Sequence, residues 1–373
     1  MLFNHSCFIP DGNGITEYFF AASISAGENF STDAVSLLKA YDEYIREHGC
    51  SENSEVLLRF HLSDITNQTP VLDELLKCRQ SFISIVGQPP ASGRIALESW
   101  HWCGTGLSKN FRQSSMQIAM QNYSPVWFKK SQLDSSGSFD QTAEEFDALE
   151  NFLRARNGCV ADHTVRTWLY CRDVDNNYAG LVKARNEFFA GIGLTGKTHF
   201  IASTGIEGHM PEVNRLVKMD SLSYPGALQS QMHYLSAPEM LSPTTLYGVS
   251  FERGTRMIFG DRSHLFISGT ASIDKEGMVV HPGDVLRQTS RMMDNVEALL
   301  QCGDAQLSDV RIATLYLRDI ADAPAVTAMV KTRLGNTVPL TAVKAPVCRP
   351  AWLVELECIA INTNGSKNFA VLR

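Results

Sequence analysis

The chain has 373 residues, of which 44% are hydrophobic and 20% charged, and a formal net charge of −7. That length suits two to three globular domains with sizeable cores. The acidic balance excludes a general nucleic-acid binder, whose phosphate contacts need clustered Lys and Arg, and no apolar run approaches the roughly 20 residues of a membrane-spanning helix.

The nine cysteines (Cys7, Cys50, Cys78, Cys103, Cys159, Cys171, Cys302, Cys348 and Cys358) are odd in number and scattered, with no C-x-x-C pair. That pattern fits neither a disulfide framework nor a zinc site. Residues 1–12 lack the basic-then-apolar order of a signal peptide. A cytoplasmic chain is the expectation.

In chain order, a helix is expected over about 31–47. A strand follows, Leu57-Leu58-Arg59-Phe60-His61-Leu62, and ends in Ser63-Asp64-Ile65. Next come a helix over about 70–77 and strands over 82–86 and 95–102. The same order returns with a helix over about 143–156 and the strand Val165-Arg166-Thr167-Trp168-Leu169-Tyr170-Cys171, ending in Arg172-Asp173-Val174. A helix over about 178–189 and a strand over 199–203 complete that copy. A third copy has a helix over about 282–301, with Val285, Met292, Val296 and Leu299 on one face and Asp284 as N-cap. It continues with the strand Thr314-Leu315-Tyr316-Leu317-Arg318-Asp319-Ile320, a helix over 323–334, and strands over 340–343 and 352–361.

Order and spacing recurring together point to three fused copies of one α+β module, with helices packed on mixed sheets. The expected bounds are 1–104, 105–225 and 226–373. The first two copies are degenerate, and the third carries the expected site.

Several segments invite a chemical reading. Gly191-Ile192-Gly193-Leu194-Thr195-Gly196-Lys197-Thr198 matches the G-x-x-x-x-G-K-[ST] phosphate loop in letters. It follows a helix and opens a strand, the reverse of what that loop requires. His101 and Cys103 share one face of a strand, but two ligands make a weak metal site. Ser268-Gly269-Thr270-Ala271-Ser272, after the apolar Leu265-Phe266-Ile267, reads either as a place of close ligand approach or as a bulge. Arg253, with Arg256 and Arg262 nearby, is a candidate carboxylate fork. In Trp352-Leu353-Val354-Glu355-Leu356-Glu357-Cys358, Glu355 and Glu357 share a strand face. They are either a partly buried acid pair with raised pKa or two solvated glutamates.

The third copy resembles the YjgF/RidA family (endoribonuclease L-PSP-like) through Phe266-Ile267-Ser268-Gly269-Thr270-Ala271, Val280-His281-Pro282-Gly283-Asp284, Gln288, Asn295-Val296-Glu297-Ala298-Leu299-Leu300 and Leu353-Val354-Glu355-Leu356-Glu357. That family, of chorismate-mutase-like fold, forms trimers of single modules, so three modules in one chain imply a covalent pseudo-trimer. The arginine that imine deaminases of the family carry ahead of the last strand has no counterpart in Val338-Pro339-Leu340-Thr341-Ala342.

A closer resemblance is to the chorismatase family, whose members carry such modules. Arg166-Thr167-Trp168-Leu169-Tyr170 is similar to its R-T-W-x-Y motif, and Ala184-Arg185-Asn186-Glu187-Phe188-Phe189 to the helix that follows. Ser203-Thr204-Gly205-Ile206-Glu207-Gly208 resembles A-T-G-I-G, Phe251-Glu252-Arg253-Gly254 resembles F-[AS]-R-A, Ser268 to Ile273 resembles S-G-T-A-S-I, Val280 to Asp284 resembles the H-x-G-D turn, and Cys348 to Glu357 resembles C-R-x-x-L-L-V-E-I-E. Met232 to Glu239, with Tyr234, fits the A-Y-x-Y-P region loosely.

The resemblance implies that Glu355 protonates the enolpyruvyl ether of chorismate and that pyruvate leaves. It implies that Cys348 marks the hydroxybenzoate-forming branch, a role in secondary metabolism. It further implies substrate contacts from Arg253, Gly269, Thr270, Tyr234 and Arg349. The expected partner is a small molecule bearing carboxylates, with no nucleic acid or membrane. Neither a cofactor nor a metal is expected, and the chain is expected as a monomer or low-order homo-oligomer. The alternative is a YjgF/RidA-like small-molecule-binding or imine-deaminase-type protein without chorismate activity.

Overall fold

A computed structural model describes residues 1–112 and 114–373. The first module holds β1 (Leu2–Phe8), β2 (Thr16–Ser23), α1 (Phe30–Glu47), β3 (Glu55–Leu62), α2 (Ile65–Leu76), β4 (Phe82–Gly87) and β5 (Ile95–Cys103). The second holds β6 (Ser108–Arg112), β7 (Ser115–Ala119), β8 (Val126–Lys129), α3 (Ser138–Arg154), α4 (Val160–His163), β9 (Thr164–Cys171), α5 (Val174–Gly191), β10 (Ala202–Glu207) and β11 (Val217–Ser223). The third holds β12 (Met232–Leu235), β13 (Gly254–Ile258), β14 (Ser263–Ala271), α6 (Val285–Cys302), β15 (Val310–Leu317), α7 (Ala323–Leu334), β16 (Leu340–Lys344) and β17 (Val354–Asn362).

The sheet orders are β1-β2-β5-β3-β4, β6-β7-β8-β11-β9-β10 and β12-β13-β14-β17-β15-β16. Each ends in the same unit. A central strand runs through a helix (α2, α5 or α7) into a parallel edge strand, and the closing strand lies antiparallel to the central one. This is the three-module α+β fold expected from the repeat.

Local chemistry sets the element ends. The side chains of Asn29 and Asp284 cap α1 and α6 by accepting the N–H of Thr32 and Arg287, each at 3.0 Å. α2 starts ahead of Pro70, where the expected helix began, because Asp64 caps it. Pro70 sits inside and forgoes one backbone bond. β10 begins at Ala202 rather than at 199, because the Phe200 N–H donates to the Glu252 carboxylate at 2.7 Å instead of to a strand. The segment resembling a phosphate loop is the end of α5 and an exposed turn, held by Thr198 Oγ1 against Thr195 N–H at 2.8 Å. β11, which closes the second module, has no counterpart among the expected strands.

Helices cover one face of each sheet, and the other faces meet at the centre. Trp100, Trp127, Trp168 and Phe266 join all three modules in one central core, with Trp127 lying 5.9 Å from both Trp100 and Trp168. A charge network crosses the same region. Arg59 binds Glu98 at 3.3 Å and Glu357 at 3.2 Å, while Arg166 binds Glu357 at 2.8 Å. Trp168 Nε1 and Thr314 Oγ1 each donate a further bond of 2.8 Å to Glu357 and Glu98 respectively. Mutual pairing offsets the cost of burying these four charges.

Adjacent sheets meet through short bridges. Gly87 pairs with His209, Ile206 with Val347 and Pro90 with Val343. Three junctions result: first–second, second–third and third–first. β3, β9, β14 and β17 are buried along their whole length. Glu355 and Glu357 therefore do not face solvent; each is 5% exposed. Among the described residues, no helix is long and apolar enough to cross a membrane.

Candidate active site at the second–third junction

A cavity of about 540 Å³ opens between α5 and β10 of the second module and β14, β17 and the loops of the third. The size lies within the roughly 300–1,000 Å³ of small-molecule sites. Glu355, Cys348, Arg349, Arg253 and Gly269 line it together.

A bulge gives Glu355 its place. The β14–β17 register shifts between Ile267 and Thr270, and Glu355 then faces Ala271 on one side and Tyr316 on the other. Gly269 at the bulge lies against the Glu355 carboxyl so closely that a methyl group there would overlap it. The stretch thus combines both readings of its small residues, a bulge and a close approach. Thr204 Oγ1 accepts the Gly269 N–H at 2.8 Å and also binds Arg166, which ties the bulge to the central network.

The two glutamates of β17 have opposite surroundings. Glu357 is held by Arg59, Arg166 and Trp168. Glu355 has no hydrogen-bond or ion-pair partner among the described residues and faces the cavity. Burial, reinforced by the Glu357 charge, pushes its pKa up to about 8, with Arg253 and Arg166 pulling the other way. At neutral pH it is a protonated acid aimed into a cleft. Burial and the neighbouring Glu355 push the Cys348 thiol up to about 12, so it is no thiolate nucleophile in the resting protein.

Three arginines supply positive charge. Arg253 is buried, donates to the Ser242 carbonyl at 3.0 Å, and leaves its Nε unpaired. Arg185 is buried on α5 with Nε and Nη2 unpaired. Arg349 donates to the Tyr247 carbonyl at 3.2 Å. Their guanidinium groups alternate with aromatic rings. Arg185 and Arg253 lie 5.7 and 5.4 Å from Phe251, Arg253 and Arg349 lie 5.5 and 4.8 Å from Tyr247, and Arg349 lies 5.3 Å from Trp352. None of the three has a carboxylate partner among the described residues, so the site is built to receive an anion.

Arg185 was not among the expected site residues. Its signal was present: Leu181, Ala184, Arg185 and Phe189 form the buried stripe of α5, and an arginine inside an apolar stripe needs a reason to be there. α5 itself is fixed by Glu207 at the end of β10, whose carboxylate accepts the N–H groups of Asp173 and Val174 at 3.1 and 2.6 Å. Gly205 leaves room for the Tyr178 ring against β10.

Two expected contacts do not line the cavity. Thr270 is buried in β14 and donates its hydroxyl to the Ser268 carbonyl at 2.8 Å. Tyr234 sits on the edge strand β12, stacked on His199 at 4.2 Å, so its ring is spent on that contact. Glu252 does not oppose Arg253, since its carboxylate accepts the Phe200 N–H. Arg256 and Arg262 bind Ser263 Oγ and Glu17 away from the cavity.

The ring nitrogens of His101 meet the hydroxyls of Tyr41 and Ser54 at 2.8 and 2.9 Å, which leaves none for a metal with Cys103. The ligand atoms of Cys159, Asp162 and His163 lie within 4.8 Å of one another, but none of these residues lines the cavity.

Residues 257–362 match the endoribonuclease L-PSP family. A RutC family protein of Pyrococcus abyssi is 32% identical over 97 residues, which are 26% of this chain and 76% of the relative. The 3-aminoacrylate deaminase RutC of Acinetobacter baylyi is 28% identical over 97 residues, 26% of this chain and 77% of the relative. Over a much longer span, the fold matches the crystal structure of a chorismatase with a TM-score of 0.64 and 20% identity, covering 83% of this chain and 93% of the other.

Proposed function

We infer, from the premise that this chain belongs to the RutC family, that its cavity binds chorismate and that Glu355 releases pyruvate from it. The observation that carries this is a buried, unpartnered Glu355 facing a cavity whose arginines have no carboxylate of their own. Chorismate supplies two carboxylates and an acid-labile enol ether. Arg185, Arg253 and Arg349 anchor the carboxylates. Glu355 donates its proton to the terminal CH2 of the enolpyruvyl group, giving an oxocarbenium ion beside the newly formed Glu355 carboxylate. Breaking the ring-carbon–oxygen bond of the ether releases pyruvate with the ether oxygen, and loss of a ring proton, which restores the proton Glu355 gave up, makes the ring aromatic as a hydroxybenzoate. Cys348 flanks the acid as a neutral thiol and directs that product choice. In this division of labour, module 105–225 lends α5 to the site built by module 226–373, and module 1–104 completes the ring.

The test is incubation with chorismate, following pyruvate and the aromatic product, with Glu355→Gln as the control. Pyruvate formed by the parent chain and not by the variant is the expected result. Chorismate binding without pyruvate would instead favour a binding protein of the same family, and release of ammonia from 2-aminoacrylate would favour a deaminase.

A further inference from the structure

The pairing registers relate the three junctions position by position. Glu355 faces Tyr316 on the central strand of its sheet, Lys218 faces Tyr170 and Ala96 faces His61. The acids two positions later, Glu357, Asp220 and Glu98, face Thr314, Trp168 and Arg59. These in turn pair with Thr341, Thr204 and Ser84 on the parallel edge strands.

Each closing strand meets the edge strand of the preceding module, so the counterparts of Glu355 at the other junctions are Lys218 and Ala96. The first–second junction is filled: Lys218 Nζ donates to Ser84 Oγ at 2.8 Å and to the Ile85 carbonyl at 3.3 Å.

The third–first junction is open. A cavity of about 190 Å³ lies between α7 and β16 on one side and β1, β2 and β5 on the other. Ala96 lines it where Glu355 would stand, and Thr341 lines it where Thr204 would stand. Asn4 pairs with Ala21, which pairs with Glu98. That is the place Arg253 takes relative to Glu357, through its carbonyl bond to the Ser268 N–H. Lys331 also lines the cavity. It comes twelve positions after Asp319 (331 − 319), as Arg185 comes twelve after Asp173 (185 − 173). On α7 the ion pairs belong to Arg333, with Asp294 and Glu297; Lys331 has none among the described residues.

We propose that the third–first junction is a second ligand site, which binds a small monocarboxylate and does not convert it. It keeps a cation at the place of Arg185 and an amide donor at the place of Arg253, but has a methyl group at the place of the acid. Its volume is below the roughly 300 Å³ of ordinary small-molecule sites, which selects a ligand the size of a keto acid. This inference stands independently of the reaction at Glu355.

The probe is pyruvate, titrated calorimetrically into the full chain carrying Arg253→Ala, so that the larger cavity contributes little. The remaining binding is expected to weaken at least about tenfold on adding Lys331→Met and to survive Lys331→Arg. Lys331 is half-buried, and unchanged thermal melts will show that both variants fold. Absence of remaining binding, or binding indifferent to Lys331→Met, overturns the proposal. Failure of chorismate turnover in the parent chain would leave this result untouched, so the two readings fail separately.

Discussion

At equivalent places on equivalent strands, the second–third junction holds a carboxyl and the first–second junction an amine. Burial acts on both. It pushes Glu355 up to about 8 and Lys218 down to about 8, because desolvation disfavours whichever form is charged. What differs is the space around them. Lys218 is surrounded by Ser84, Ile85 and Asp220 and has nowhere to send a proton. Glu355 faces a cavity and three arginines. A perturbed ionisable group therefore marks a site only when empty space and complementary charge accompany it.

The comparison can be broken most directly at Glu355. Glu355→Gln is expected to lower pyruvate release about 10²–10⁴-fold while leaving chorismate affinity within a few-fold, as measured by turnover and equilibrium titration. In the parent chain, activity is expected to decline as pH rises through about 8 and the acid ionises. Stability provides an independent check. The folded-state pKa of Glu355 lies above its unfolded value, so the associated stability is fully present below the unfolded pKa and is lost as pH rises through about 8. Glu355→Gln should accordingly raise Tm at pH 9 and leave it almost unchanged at pH 4.

Gly269→Ala should displace the carboxyl and reduce turnover by roughly a hundredfold, the cost of about an ångström of misplacement, with the fold retained by circular dichroism. Arg185→Ala and Arg253→Ala should each raise KM about tenfold or more, because a hydrogen bond to a charged group contributes roughly 1.5–3 kcal/mol. Cys348→Ala should shift the product ratio, read by chromatography, away from hydroxybenzoate and towards a dihydroxy diene acid. Lys218→Met should leave turnover within about twofold but cost roughly 3–5 kcal/mol of stability by stranding Asp220. Lys218→Met with Asp220→Leu should recover most of that loss in a denaturant titration.

Much of this was legible in the sequence, and the reasons are local. The capped, periodic helices announce themselves through Asp284 and the Val285-to-Leu299 stripe. The strands ending at Asp64, Asp173 and Asp319 repeat closely enough to reveal three modules. Glu355, Cys348, Arg349, Arg253 and Gly269 were expected at one site and line one cavity. Other features depend on partners distant in sequence. β11, Val-Lys-Met-Asp-Ser-Leu-Ser, alternates only over its first four residues, and its buried face carries the paired Lys218 and Asp220 in place of apolar side chains. Arg185 stands in the apolar stripe of α5, but Phe251, the ring beside it, lies in another module, so its place at the site depended on the packing of the two. Tyr234 had the right residue type in the right region, but its ring is taken by His199.

The network of Arg59, Glu98, Arg166 and Glu357 also bears on how the chain unfolds. Its four charges come from all three modules: without residues 226–373 Arg166 loses its carboxylate, and without residues 105–225 two buried carboxylates share Arg59 alone. The modules are thus expected to melt together in a single transition, and a fragment lacking residues 226–373, which strands Arg166, should lose its compact state altogether rather than persist as a smaller folded body.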